Sequence, residues 1–371
     1  MPYFDHSATT PIHPGVLEKM ESVSHDHFGN PSSIHTAGRK SRAIVESARR
    51  TIAEAIHAEP SEIIFTGSGT EANNAVLWSM LQSDKKHVIT SAVEHPAVLK
   101  VLNQLSKLGI SYTALPVDQF GQVDPQNLNK AVLPETGLIS LMMVNNEVGT
   151  INPMDSLINI AKDHGILFHS DTVQALGKTP LSVKDIKADY LSFSAHKLYG
   201  PKGVGFLFKR KAASLHPLII GGSQESNFRA GTENVPGITG LGEAVRLAVE
   251  NLDKRIGHLI KLETLFKSEL RKANLNVIYN GHAEKHVPGV LSLSFPNYQS
   301  DILLAKLDRE NMAVSSGSAC ESGSLQPSPV LEAMGLTEEQ NLSTLRISFG
   351  RGNSKLEVRA LVTTLTKILH G

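Results

Sequence analysis

The fold class is decided by one apolar run in the middle of the chain, Leu138-Ile139-Ser140-Leu141-Met142-Met143-Val144. Strands of a parallel sheet are covered on both faces, so they read as continuous apolar runs without alternating polar residues. Further short apolar runs lie on both sides of it, at residues 63–65, 87–90, 111–115, 166–169, 190–193 and 204–208. Helical patterns separate many of them, at residues 70–81, 96–108 and 153–164. This alternation predicts an α/β domain with a mostly parallel, seven-stranded sheet.

The 371 residues are enough for a second, smaller domain. A long helical pattern at residues 235–273 follows the α/β region. After it, strand patterns mix with helical ones, at residues 290–295, 300–310, 329–334, 345–349 and 355–369. We therefore predict a large domain over residues 13–255, and a small α+β domain formed by residues 1–12 and 256–371.

Composition excludes several classes of protein. Acidic and basic residues balance at 36 each, so no basic surface for direct nucleic-acid or membrane binding is expected. No apolar stretch approaches the ~20 residues of a membrane span, and Met1-Pro2-Tyr3-Phe4-Asp5 lacks the pattern of a secretory signal. One cysteine rules out an intrachain disulfide framework and a multi-cysteine zinc site. These features predict a cytoplasmic protein.

A glycine-rich segment, Gly67-Ser68-Gly69-Thr70-Glu71-Ala72-Asn73, joins a predicted strand to a predicted helix. Glycines let backbone N–H groups approach an anion, and the helix N-terminus adds its positive end. Gly69 and Thr70 are therefore candidate phosphate ligands. A tight turn with a helix N-cap explains the same residues equally well.

A second segment, Ser194-Ala195-His196-Lys197, follows an apolar run and precedes Tyr199-Gly200-Pro201-Lys202-Gly203. Most lysines lie in solvent, whereas this one follows a buried strand. A lysine that bonds covalently to a cofactor aldehyde must be neutral, which burial or nearby positive charge achieves. Ser194 and His196 are then suited to bind the phosphate of such a cofactor.

Three further polar residues fit the same pocket. Asp171 ends an apolar strand, where ligands of open α/β sheets bind, and in pyridoxal-phosphate enzymes an aspartate there keeps the pyridine nitrogen protonated. A helix N-cap is the alternative for Asp171. His95 follows a strand, where it either stacks on a flat ring or forms hydrogen bonds within a loop. Arg346 lies inside an apolar strand, and its anion is either a substrate carboxylate or an internal acid.

The single cysteine, Cys320, ends the small-residue run Ser315-Ser316-Gly317-Ser318-Ala319-Cys320. A lone cysteine is most often a small buried hydrophobe. Together with the Lys197 motif, however, it predicts a thiol that acts on what the cofactor holds. His25-Asp26-His27 suggests metal binding, but too few other ligands accompany it, so we predict a turn or a partner contact and no metal site.

These motifs together resemble the pyridoxal-phosphate-dependent cysteine desulfurases of the NifS/IscS type over almost the whole chain. The resemblance rests on these segments and on five others, which are Tyr3-Phe4-Asp5-His6-Ser7-Ala8-Thr9-Thr10-Pro11, Phe28-Gly29-Asn30-Pro31-Ser32-Ser33, Val144-Asn145-Asn146-Glu147-Val148-Gly149, Arg229-Ala230-Gly231-Thr232-Glu233-Asn234 and Pro327-Ser328-Pro329-Val330-Leu331. It implies the aspartate-aminotransferase-like fold (fold type I), a homodimer and pyridoxal 5′-phosphate as cofactor.

The resemblance also implies a role for each candidate residue. Lys197 would carry the cofactor, His95 would stack on its ring and move protons, and Cys320 would be the sulfur-accepting nucleophile. The other cofactor contacts would come from Gly69, Thr70, Asn146, Asp171, Gln174, Ser194, His196 and, from the other subunit, Thr232. Asn146 and Arg346 would bind the substrate carboxylate.

The implied reaction converts L-cysteine to L-alanine and leaves the sulfur on Cys320 as a persulfide, for iron–sulfur cluster or tRNA-thiolation pathways. A protein sulfur acceptor, either an iron–sulfur scaffold or a tRNA-thiolation protein, would be the partner. The alternatives are a selenocysteine lyase or other pyridoxal-phosphate-dependent lyase, and a weakly active sulfur-relay or regulatory paralogue. Glu321 and Ser226 depart from the family pattern, which commonly has Thr or Ser and Arg there.

Overall fold

The computed structural model describes residues 1–317 and 326–370, so Cys320 and Glu321 lie outside the described residues. Its helices are α1 Pro14–Asp26, α2 Thr36–Ile56, α3 Gly69–Ser79, α4 Pro96–Ser106, α5 Pro125–Ala131, α6 Met154–Asp163, α7 Val235–Glu250, α8 Leu252–Lys272, α9 Ser300–Arg309, α10 Pro329–Ala333, α11 Glu338–Leu342 and α12 Lys355–His370. Its strands are β1 Ile63–Thr66, β2 His87–Ser91, β3 Ser111–Leu115, β4 Thr136–Ser140, β5 Leu167–Asp171, β6 Tyr190–Ser194, β7 Gly205–Lys209, β8 Ile278–Asn280, β9 Val290–Ser294, β10 Ser315–Ser316 and β11 Thr344–Ser348.

The large sheet has seven strands in the order β1-β7-β6-β5-β4-β2-β3. Strands β3, β2, β4, β5 and β6 are parallel along the sheet, and β7 is antiparallel to both of its neighbours, β6 and β1. Every residue of β2, β6 and β7 is buried, as expected for strands covered on both faces. The predicted mostly parallel seven-stranded sheet is therefore confirmed.

The bounds of two elements differ from those predicted from the sequence. Strand β4 stops at Ser140, because beyond it side chains of other segments replace β2 as hydrogen-bond partners, although the N–H groups of Leu141 and Met143 still bond to β5. The Met142 N–H bonds to the Glu94 carboxylate at 2.9 Å, and the Met142 carbonyl accepts from Asn152 Nδ2 at 2.8 Å. The predicted helix over residues 235–273 is two helices, because Asn251 (φ −107°) leaves the helical region between α7 and α8.

A second, antiparallel sheet has the order β10-β11-β9-β8. The N-terminal segment joins it through parallel bridges from Tyr3 to Ala313 and from Asp5 to Ser348. Phe4 is fully buried in the cluster of apolar side chains beneath this sheet, with residues of α8, α9 and α12. The large sheet has its own cluster, which includes α7. We propose the division into residues 13–255 on one side and residues 1–12 and 256–371 on the other, which stays a prediction.

The carboxyl ends of β2, β4, β5 and β6 lie at one edge of the large sheet, since these strands are parallel. Polar residues that follow these strands, such as His95, Asp171 and Lys197, are thereby brought together. None of the described helices is both long and apolar enough to cross a membrane.

Candidate active site

A cavity of about 390 Å³ lies at this edge of the large sheet. The predicted site residues that line it are Gly69, Thr70, His95, Asn146, Asp171, Gln174, Ser194, His196, Lys197 and Arg346. Residues of the N-terminal segment, Ser7 and Ala8, complete one wall. The fold therefore brings together side chains from widely separated parts of the chain.

Lys197 ends a short turn that follows β6 directly. Its Nζ donates to the carbonyl oxygens of Ser7 and Ala8, at 2.6 Å each. The amine is thus held at the cavity wall by the N-terminal segment. Thr10 strengthens this contact, since its Oγ1 donates to the His196 carbonyl at 2.8 Å.

Asp171, the last residue of β5, is buried, and neutral donors bind both of its carboxylate oxygens. Oδ1 accepts from the Val173 N–H at 3.0 Å, which is a local turn bond. Oδ2 accepts from Asn73 Nδ2 of α3 at 2.7 Å. The sequence analysis did not single out Asn73, although a polar residue on the buried face of α3 was a signal for it.

The two histidines of the cavity are held neutral. His95 Nδ1 accepts from the Ala97 N–H at 3.1 Å and caps α4, so the neutral ring carries its proton on Nε2. Burial lowers the pKa of His95, and the charge of Lys197 acts in the same direction against that of Asp171. Burial, together with the neighbouring lysines, lowers the pKa of His196 to about 4.

Arg346 lies in the middle of β11 and is 2% exposed. Its Nη2 pairs with Asp5 Oδ1 at 2.9 Å, and its Nη1 donates to the carbonyl oxygens of Asn146 at 3.0 Å and Gly317 at 3.3 Å. The internal ion pair expected as one alternative is therefore present, and the same side chain lines the cavity. Among the described residues, Arg346 Nε and Asn146 Oδ1 have no hydrogen-bond partner.

Two buried glutamates that line the cavity, Glu94 and Glu147, were not identified as site residues from the sequence. Glu94 Oε1 accepts from Ser91 Oγ at 2.7 Å and from the Met142 N–H, while Oε2 has no partner in the described part of the chain. Burial raises the pKa of Glu94 to about 8 against these hydrogen bonds, and the charge of Asp171 adds to the rise. Glu147 Oε2 accepts from Ser328 Oγ at 2.6 Å.

Thr232 lies in a separate cleft of about 170 Å³. Its neighbour Arg229 pairs with Glu71 at 2.9 Å, and Glu71 also accepts from the Gly67 N–H at 2.8 Å. This links the Thr232 segment to the glycine-rich turn from outside the cavity. Ser226 has left-handed backbone (φ 55°), a conformation that costs a non-glycine residue energy. His25 lies in the last turn of α1, and among the described residues no group of three or more metal-ligating side chains occurs.

The residues of the cavity fit pyridoxal 5′-phosphate. The N-terminus of α3, at Gly69 and Thr70, offers N–H groups to a phosphate, and Ser194 offers a hydroxyl. A Cβ at Gly69 would lie 2.5 Å from Val173 Cγ2, so only glycine allows this close packing. Asp171 supplies the carboxylate for a protonated pyridine nitrogen, and Lys197 supplies the amine for the aldehyde.

Comparison with known proteins agrees with this fit. The family model of the class-V aminotransferases matches residues 2–361. The chain belongs to the aminotransferase class-V family. A cysteine desulfurase IscS of Dictyoglomus turgidum is 46% identical over 371 residues, which are 99% of this chain and 94% of the relative. A solved NifS-like protein superposes with a TM-score of 0.94 at 37% identity, covering 100% of this chain and 99% of that one.

A third relative, a structure described as SspA in complex with cysteine, has a TM-score of 0.83 at 35% identity and covers 94% of this chain and 99% of that one. This class-V protein is a pyridoxal-phosphate-dependent enzyme of the cysteine desulfurase type. The family resemblance, the fold class and the cofactor predicted from the sequence are thereby confirmed. The roles of the individual residues stay predictions.

Proposed function

We propose that this cysteine desulfurase converts L-cysteine to L-alanine and transfers the sulfur to the Cys320 thiol, which becomes a persulfide. The C–S bond of the substrate breaks, an S–S bond forms on Cys320, and the two thiol hydrogens end on alanine and on the persulfide. The observation that carries the proposal is the single cavity in which Lys197, Asp171 and Arg346 meet. The relatives named cysteine desulfurase support it.

Lys197 binds the cofactor and afterwards moves the proton at the substrate Cα. Bound pyridoxal phosphate supplies an electron sink for the carbanion at Cα. Asp171 faces the pyridine nitrogen, and its carboxylate is oriented by the hydrogen bonds from Asn73 Nδ2 and the Val173 N–H. Gln174 lines the same cavity and offers its amide to the phenolic oxygen.

Arg346 and Asn146 bind the substrate carboxylate. Both line the cavity, and Arg346 Nε is a buried donor without a hydrogen-bond partner among the described residues. The Nη atoms already bind Asp5, Asn146 and Gly317, which orients the guanidinium plane before the substrate arrives. His95, neutral and protonated on Nε2, offers this N–H as a donor that favours the thiolate form of Cys320, because the thiolate is the nucleophile.

The enzyme acts as a homodimer in the cytoplasm, and Thr232 of the partner subunit completes the phosphate site. Within one chain Thr232 lies outside the cavity, which agrees with a contribution to the other subunit. An iron–sulfur scaffold or a tRNA-thiolation protein takes the sulfur from Cys320.

The test is release of alanine and sulfide from L-cysteine in the presence of a reductant, measured beside Cys320→Ala and Lys197→Ala. We expect a yellow wild type that forms both products, and Cys320→Ala that stays yellow but forms neither. Lys197→Ala should lose the visible band of the lysine-bound cofactor and the activity. If Cys320→Ala released sulfide as fast as the wild type, a lyase reaction would replace this proposal.

A further inference from the structure

Lys178 is a buried lysine in the turn after Gln174, and the residue is 9% exposed. Its Nζ donates to Gln174 Oε1. The mechanism above does not use this amine. A methionine would fill a similar volume without the cost of burying an ionisable group, so the presence of a lysine calls for a reason.

The Gln174 amide connects Lys178 to the active-site lysine. Gln174 Nε2 donates to the Ser7 carbonyl oxygen at 2.9 Å, and the same oxygen accepts from Lys197 Nζ at 2.6 Å. A carbonyl oxygen only accepts, so the amide group that faces Ser7 must be the NH₂ group. Lys178 therefore binds the opposite, carbonyl end of the amide and fixes its orientation.

The surroundings of Lys178 are cationic. Burial lowers the pKa of Lys178 far below its usual range, and the charges of Lys197, Arg255 and Arg346 lower it further. Within the described residues no carboxylate forms an ion pair with Lys178. His6 faces the same group, and burial and the charges of Lys178 and Arg255 lower the pKa of His6 to about 4.

Lys178 and Lys197 also line one small void of about 10 Å³, which shares Ser7 and Lys197 with the active-site cavity. His6, Ser7, Tyr199 and Arg255 are among its other walls. A space of this size holds about one water molecule, whose partners would be polar groups of this kind. The two lysines thus line the same small polar space.

We propose that Lys178 is a positioning residue of the active site. By donating to Gln174 Oε1, it keeps the NH₂ group of this amide toward Ser7 and the cavity, and it thereby fixes the orientation of a hydrogen-bond donor near Lys197. The inference rests on the proposed roles of Lys197 and Gln174. Lys178 itself touches neither substrate nor cofactor and acts through Gln174. Without it, only the contact with the Ser7 carbonyl, among those of the described residues, would hold the amide, and the NH₂ group would be less firmly kept toward the cofactor's phenolic oxygen.

The experiment is a pH titration of the visible absorption of the holoenzyme, without substrate, for the wild type and Lys178→Met. In Lys178→Met we expect the titration midpoint to rise by about half a pH unit or more. A weaker donor contact to the phenolic oxygen and the loss of a neighbouring basic group both favour the protonated linkage of Lys197 to the cofactor. Lys178→Gln keeps an N–H donor for Gln174 and should return the midpoint toward that of the wild type.

The matched control is Lys209→Met. Lys209 of β7 is also a buried lysine with a lowered pKa, but its Nζ donates to the Ala213 carbonyl at 2.8 Å, outside the cavity lining. Its substitution should leave the midpoint unchanged. A Lys178→Met midpoint equal to that of Lys209→Met would overturn the positioning role.

Two outcomes separate this inference from the proposed function. If Lys197→Ala kept the visible band of the lysine-bound cofactor, the proposed role of Lys197 would fail and this inference with it. If Lys197→Ala lost the band as expected, but the titration midpoint of Lys178→Met equalled that of Lys209→Met, only the positioning role of Lys178 would fail. A crystal structure of the holoenzyme needs no variant: Lys178 Nζ should lie within hydrogen-bond distance of Gln174 Oε1, and an amine bound elsewhere would contradict the proposal even where Lys178→Met does not fold.

Discussion

Carboxyl groups on the two sides of the molecule are held in different ways. At the edge of the large sheet, Asp171 and Glu94 accept hydrogen bonds from amides and a hydroxyl. Around the small sheet, Asp5 pairs with Arg346, and Glu263 of α8 binds Lys267 and His286. Among the described residues no cation compensates the charge of Asp171, which can therefore act on the cavity, whereas a carboxylate paired with a cation mainly stabilises the fold. Replacing a carboxylate of the first kind should therefore mainly lower activity, and replacing one of the second kind should mainly lower stability.

The largest effect is expected from Asp171→Asn. The change removes the charge opposite the pyridine nitrogen but preserves the size of the side chain. We expect kcat/KM for alanine formation to fall by about 10²–10³-fold, as when one preorganised electrostatic group is lost. The free energy of unfolding in urea should change by only about 1 kcal/mol, because the partners of Asp171 are neutral.

The matched control for Asp171→Asn is Asp189→Asn. The Asp189 carboxylate accepts from the Phe168 N–H at 2.8 Å, outside the cavity lining, so its loss should leave alanine formation intact. Equal activities of Asp171→Asn and Asp189→Asn would contradict the assigned role of Asp171.

The next effect is expected from Asp5→Asn, and it should fall on stability. Arg346 is 2% exposed, and removing its carboxylate partner leaves a buried cation without a counter-charge. We expect the free energy of unfolding to fall by about 3 kcal/mol. The rate at saturating L-cysteine should fall much less than in Asp171→Asn, because Asp5 pairs with Arg346 rather than with the reacting atoms.

Glu310→Gln is the control for Asp5→Asn. Glu310 pairs with Lys367 at 2.9 Å, but both side chains are largely exposed, so the loss should be below about 1 kcal/mol. Urea unfolding of both variants measures the difference. A cost for Asp5→Asn no larger than that for Glu310→Gln would mean that the buried pair does not stabilise the fold.

Local patterns in the sequence were sufficient to find Asp171 and Lys197, because each directly follows an apolar run that forms a strand. They could not show the partners that decide what these groups do. Asn73 meets Asp171 across 98 positions of the chain, and Asp5 meets Arg346 across 341. The ion pair of Arg346 was foreseen as an alternative, but its partner was not, since no short-range pattern links two strands of a sheet. The sequence did not predict the break between α7 and α8 at Asn251, because the helical pattern continues across this residue.

The smallest expected effect is a difference between Glu94 and Glu263 in how each makes the stability of the protein depend on pH. Burial raises the pKa of Glu94 to about 8, whereas hydrogen bonds from His286, Gly289 and Lys267 outweigh burial and lower the pKa of Glu263 to about 2. In the unfolded chain both titrate near 4.5. Between pH 4.5 and about 8 the folded protein therefore holds a proton on Glu94 that the unfolded chain has lost. Its contribution to stability falls as the pH rises through this window, by at most about 1.4 kcal/mol per pH unit.

Glu94→Gln removes this slope, because the amide does not titrate. Relative to the wild type, the variant should therefore become more stable in urea at pH 7 than at pH 5. Glu263 has the opposite sign: its contribution is complete above pH 4.5 and is lost only as the pH falls toward about 2. Glu263→Gln should accordingly cost the same stability at pH 5 and at pH 7. If the two variants showed the same dependence on pH, the neutral donors at the large sheet and the cationic donors at the small one would not differ in the way the structure indicates.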